Sequence, residues 1–267
     1  MRILALLSLL LAAPAAAHEF WIEPLDYQVD PDEQIVGHLV NGQEFAGVQL
    51  AYVPARFVNF VQVSADGDFA RVESPVGTFP GLQVAPLGEG LAVIAYQSAI
   101  ATVDYEELAK FASFAEHKDF AGWDEAHAAR GLPETGILEI YSRFAKTLVA
   151  VGDGEGSDRR LGMETELVAL DNPYTDPVAD TGMRVQAFYR NDVRADAQIE
   201  LFEKAPDGTV EITYHRTDDE GIATLPVKPG HSYLVDAVVL REPSQENQAR
   251  GAHWETLWAS LTFAVPG

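Results

Sequence analysis

Beyond position 180 apolar residues recur at every second place, and turn signals interrupt them at regular intervals. Period-two segments run over Met183–Arg190, Ala197–Lys204, Thr209–Arg216, Ile222–Val227, Ser232–Arg241 and Glu255–Val265. Between them lie Ala205-Pro206-Asp207-Gly208, Asp218-Asp219-Glu220-Gly221 and Lys228-Pro229-Gly230, where proline fixes φ and glycine accepts positive φ. Alternate residues of a strand point to opposite faces, so Ile199 and Leu201 share one face. The pattern predicts a C-terminal β-sandwich over 181–267, folding as its own antiparallel unit against the rest.

The first half has a more broken texture. Short strands are expected over Val36–Val40, Val48–Val53, Phe57–Val63, Phe69–Val72, Leu82–Val84 and Leu91–Tyr96. Asp104-Tyr105-Glu106-Glu107 has the spacing of a capping box, and Leu108, Phe111, Ala112 and Ala115 follow at helical spacing. A second short helix is expected around Asp124–Arg130, closed by Gly131. Gly136–Gly152 reads as a strand with Glu139, Tyr141 and Arg143 on one face, in a polar group with Lys146. The predicted class is therefore mainly β, a two-part β-sandwich protein. Its N-terminal domain spans 18–180 with a small helical insertion at 104–131, and its second domain spans 181–267.

The first seventeen residues differ from all of this. Arg2, the apolar run Ile3–Ala13 and small residues through Ala17 have the layout of a secretory signal peptide, which implies a periplasmic or secreted protein. Cleavage after Ala17 makes His18 the first mature residue, with its free amine and near imidazole nitrogen able to chelate one metal ion. Cleavage after Ala15 leaves His18 in third place, where amine, amides and imidazole wrap Cu(II) or Ni(II) in a square plane. No second apolar run is long enough to cross a bilayer, so no membrane insertion is expected after signal removal.

Charge and cysteine content narrow the chemistry. The formal charge is −23, with 41 acidic against 18 basic side chains, which makes nucleic acid and anionic membrane surfaces poor partners. There is no cysteine, so disulfides and thiolate metal sites are excluded and a metal must use histidine, carboxylate, backbone or the amine. Of the seven histidines none lies three or four residues from another, which rules out an HExxH-type site. His117 ends the first predicted helix, His127 lies in the second, and His253 opens the last strand, so these three are the candidates to complete a site begun by His18. Asp153-Gly154-Glu155-Gly156-Ser157-Asp158 looks like a calcium loop but lacks the closing Glu, and reads as a solvated turn. No nucleophile elbow, P-loop or dinucleotide fingerprint is present.

Several stretches together resemble a known family. They are His18-Glu19-Phe20-Trp21-Ile22-Glu23-Pro24, Glu139-Ile140-Tyr141-Ser142-Arg143 with Lys146, Glu166-Leu167-Val168-Ala169 followed by Asn172-Pro173-Tyr174, Thr217-Asp218 with Gly221, and Trp258-Ala259-Ser260-Leu261-Thr262-Phe263. The family is a domain-of-unknown-function group of exported bacterial proteins, often labelled periplasmic components of cobalt or nickel uptake. The resemblance implies a β-rich periplasmic protein with an immunoglobulin- or transthyretin-like C-terminal part. It also implies a non-enzymatic accessory that binds nickel, cobalt or copper through His18 and serves a membrane metal-uptake system. Two other readings stand beside it: a β-sandwich interaction or carbohydrate-binding module presenting Trp21, Trp123, Trp254 and Trp258, and a copper monooxygenase built on an N-terminal His.

Overall fold

A computed structural model describes residues 18–267; the expected signal peptide lies outside them. The chain is mainly β, and its centre is one large mixed sheet. Two strands carry that sheet, Ile137–Val151 and Trp254–Ala264, which pair parallel so that Glu139 lies opposite Trp254 and Thr147 opposite Thr262. On one side Trp254–Ala264 pairs antiparallel with Ser232–Arg241, which leads on to Gln198–Lys204 and Val210–Arg216. On the other side Ile137–Val151 pairs with Gly90–Ser98, which leads on to Phe57–Val63 and Phe69–Arg71.

The large sheet is covered on both faces, which explains why Trp254–Ala264 is buried over almost its whole length. A small sheet of Thr165–Ala169, Met183–Tyr189 and Ile222–Leu225 packs on one face. Ile199, Leu201, Val235, Leu261 and Phe263 form the core there with Leu167, Val185 and Leu225. The opposite face receives a second small sheet, in which Glu19–Pro24 and Ala46–Leu50 flank Ile35–Gln43. Phe20, Ile22 and Leu39 of that sheet pack on Ile94, Tyr96, Ala145 and Val149 of the large one. Ser260 Oγ and Thr262 Oγ1 donate to the carbonyls of Phe20 and Ile22 at 2.7 and 2.6 Å, tying the two together.

The helical insertion lies on this second face. Helices Leu108–His117 and Trp123–Ala129 bury Phe111, Phe114 and Ala115 against Tyr105, Trp254 and Trp258. Asp104 does not cap the first helix. It sits in the strand Ala101–Tyr105 opposite Leu138, and the residue before the helix is Glu107, without a side-chain cap; sheet pairing has outcompeted the local capping signal.

The six C-terminal strands fall within a residue or two of their predicted spans. Two of them, Met183–Tyr189 and Ile222–Leu225, lie with Thr165–Ala169 in the small sheet and face the other four across a shared core, as two layers of a sandwich; those four belong to the large sheet, which the parallel pairing of Trp254–Ala264 with Ile137–Val151 continues into the N-terminal half. No helix of the described residues is long and apolar enough to cross a membrane.

Candidate functional site

The four predicted metal-binding histidines lie in different surroundings. His18 stands at the entry of the strand Glu19–Pro24, its carbonyl accepting from Arg143 Nη2 at 2.9 Å, while its Nδ1 is shielded and has no hydrogen-bond partner. His127 is buried with both ring nitrogens committed. Its Nδ1 faces the Trp254 indole N–H at 3.1 Å, and its Nε2 lies 3.0 Å from the Pro133 carbonyl. An indole only donates and a carbonyl only accepts, which assigns the neutral Nε2–H tautomer and leaves no lone pair for a metal. His253 Nδ1 accepts from the Leu138 amide at 2.9 Å, and burial together with neighbouring His127 and Arg130 holds its pKa below the usual imidazole value. His117 is half-exposed, with Nε2 3.5 Å from Glu200 Oε1.

Among the described residues the grouping of metal-ligand type contains no histidine. Oxygens of Glu19, Glu200 and Asp236 lie within 4.8 Å of one another, all three side chains buried. Glu19 starts the first strand of the small sheet, while Glu200 and Asp236 point from neighbouring strands of the large sheet, two residues from Phe202 and Leu234 on the same face. Lys118, the residue just past the first helix, inserts its ammonium among them at 3.0 Å from Glu19, 2.9 Å from Glu200 and 3.1 Å from Asp236. The Trp258 ring closes the far side, 4.8 Å from Nζ. The Lys118 ammonium therefore occupies the position a cation would take.

The balance of charge in this cluster is uneven. Burial, helped by the nearby Glu200 and Glu19 and opposed by Lys118, pushes Asp236 up to about 7. Burial acts in the same direction on Glu200, but its hydrogen bond to His117 and the Lys118 charge outweigh it and hold the group below the usual range. Lys118 is held well above its ordinary value by the three carboxylates, against its own burial. Glu19 Oε2 and Asp236 Oδ1 have no hydrogen-bond partner.

Sequence reasoning missed Lys118, Glu19, Glu200 and Asp236. A signal existed for two of them: Glu200 and Asp236 interrupt apolar strand runs, as in Tyr233-Leu234-Val235-Asp236-Ala237-Val238, and buried carboxylates need a cation. Lys146 lies on the other face of its strand from Glu139 and Arg143. It is paired with Asp158 at 2.6 Å and Glu166 at 3.4 Å, so Asp158 is a buried counter-ion rather than part of a solvated turn. Trp21, Trp254 and Trp258 are buried core residues, which removes them as stacking platforms for a sugar.

Comparison with known proteins places the chain in a family. The family model described as domain of unknown function DUF4198 matches residues 15–241, and the chain belongs to that family. No curated protein matches the chain. Among solved structures, a tetra-tandem repeat from the extending region of a large adhesion protein aligns with 10% identity and a TM-score of 0.22, over 92% of this chain and 49% of that one. The chain thus spans about half the length of that structure. The D0-D1 domain of intimin aligns with 14% identity and a TM-score of 0.21, over 92% of this chain and 98% of that one.

Proposed function

We propose that this protein is an exported, non-enzymatic binder of a transition-metal ion, nickel, cobalt or copper, held by the mature N-terminal His18 and passed to a membrane uptake system. The observation that carries the reading is the His18 Nδ1, shielded and without a partner while the carbonyl of the same residue is pinned by Arg143. Nδ1 is the imidazole nitrogen that closes a chelate ring with a free α-amine, and polar atoms left unpaired in a folded protein are uncommon. Two nitrogen donors suit Ni(II) and Cu(II). His127 is excluded as a further ligand by its two hydrogen bonds, so the remaining coordination positions fall to His117, His253, solvent or a small chelator that arrives with the metal.

Amine and imidazole must both be deprotonated to ligate, so binding releases protons and affinity falls on acidification. Titration calorimetry with Ni(II) and Cu(II) on three forms tests the clamp: the chain beginning at His18, the same chain with one added Met, and His18→Ala. The added residue moves the amine away and is expected to weaken binding by about 10–100-fold, the range seen when supporting groups of a metal site are lost. His18→Ala should do at least as much. Equal affinities in all three forms would refute the proposal.

A further inference from the structure

A cavity of about 350 Å³ opens between the small N-terminal sheet and the edge of the large one, and Arg143 and Arg56 both line it. Its walls include Phe20, Asn41, Ser98 and Ile100. Arg143 is the unusual member. Its guanidinium contacts the His18 carbonyl and lies over the rings of Tyr141 at 4.6 Å and Phe20 at 5.9 Å. Its Nε is shielded and has no partner, and no described carboxylate comes within ion-pair distance. Burial lowers the Arg143 pKa, against the opposing influence of the Tyr141 and Tyr96 hydroxyls, the first of which it also hydrogen-bonds, and of the more weakly acting Glu139.

A shielded cation without a counter-ion costs free energy unless something pairs with it. The cavity supplies further groups for an anion. Asn41 carries an amide whose Oδ1 has no partner, and an amide can turn its NH₂ toward an acceptor. Ser98 Oγ accepts from the Arg143 amide at 2.9 Å, which leaves its own proton to donate. These donors share the lining with the apolar side chains of Phe20, Leu50, Ile100 and three alanines. We infer that this cavity is a binding site for a small organic carboxylate with an apolar body, its carboxylate held by Arg143 and assisted by Arg56, Asn41 and Ser98. None of these groups is a metal ligand in the proposal above, although Arg143 also holds the His18 carbonyl.

The probe is benzoate, with benzamide as the neutral isostere, titrated calorimetrically into the full mature chain without metal. Benzoate should bind and benzamide should not. Charge-assisted hydrogen bonds carry most of the difference, so Arg143→Gln should weaken benzoate about tenfold or more. Because Arg143 also braces His18, a second variant is needed. The exposed Arg56→Gln keeps its backbone contacts with Ala99 and Tyr96 and should weaken benzoate by about two- to fivefold. No benzoate binding by the wild type, equal binding of benzamide, or an unchanged affinity in Arg56→Gln would each overturn the inference.

Discussion

Two lysines are buried among carboxylates on opposite faces of the large sheet, and they are finished differently. Lys146 donates to Asp158 at 2.7 Å, to Glu166 at 3.4 Å and to the carbonyls of Arg159 and Leu167 at 3.1 and 3.2 Å. Its acidic partners are satisfied in turn, Glu166 by the amides of Leu161, Gly162 and Met163 and Asp158 by those of Arg159 and Ala169. Lys118 faces three carboxylates, two of which keep an oxygen without a partner. The first arrangement is a closed knot that fixes the Asp158–Ala169 segment to the sheet. The second carries surplus negative charge at the junction of both sheets and the helical insertion, so its protonation responds to pH.

The largest expected effects come from removing each cation. Lys146→Met and Lys118→Met each leave buried carboxylates uncompensated and should destabilise by about 3–5 kcal/mol at pH 8. The comparison is sharpened by acid. In Lys118→Met the deficit should shrink toward pH 5, because Asp236, already raised to about 7, can take up a proton and become neutral. Lys146→Met is the reference, because five amide hydrogen bonds still hold Asp158 and Glu166 in place there. Urea unfolding of both variants at the two pH values measures this. Parallel behaviour would mean that the two clusters do not differ in kind.

Trp258 is the lid of the Lys118 cluster and part of the core, 2% exposed and stacked on Phe114 at 5.7 Å between centroids. Trp258→Ala should cost about 3–5 kcal/mol, read as a lowered denaturation midpoint. The analogous loss near Lys146 has no aromatic lid to remove, so no single truncation there should couple packing to the ammonium in the same way. A midpoint unchanged by Trp258→Ala would place the ring outside the core.

The sequence announced strands more readily than their partners. Ser232–Arg241 and Gln198–Lys204 were legible because period two is a local signal, and their spans agree with the structure. The parallel pairing of Ile137–Val151 with Trp254–Ala264 joins residues more than a hundred positions apart, and no local pattern encodes it. For the same reason the Lys118 cluster was hidden: Glu19, Glu200 and Asp236 come from three strands separated along the sequence. His127 looked like a ligand because residue type alone does not show that Trp254 and Pro133 occupy its nitrogens. His18 was visible from position alone, and the structure adds its unpartnered Nδ1.

The smallest expected effect concerns His117 at the rim of the Lys118 cluster. Its hydrogen bond to Glu200 raises its pKa, with Glu19 acting in the same direction and burial and Lys118 against it; the Tyr214 ring packs edge-on at 6.1 Å. A histidine whose folded pKa exceeds its unfolded one stabilises the fold fully below about 6.5 and loses that contribution as the pH rises through the folded value. Asp236 acts in the same sense, since a carboxyl raised to about 7 favours the fold at low pH and loses its contribution between about 4 and 7. His117→Gln removes only the first part. With the side chain 51% exposed, solvent screening reduces the effect to on the order of a few tenths of a kcal/mol. Wild type and His117→Gln should therefore differ most near pH 5.5 and converge by pH 9 in paired thermal melts. A gap that stays constant across that range would show that His117 acts through packing, and the titratable character of the Lys118 cluster would then rest on its carboxylates alone.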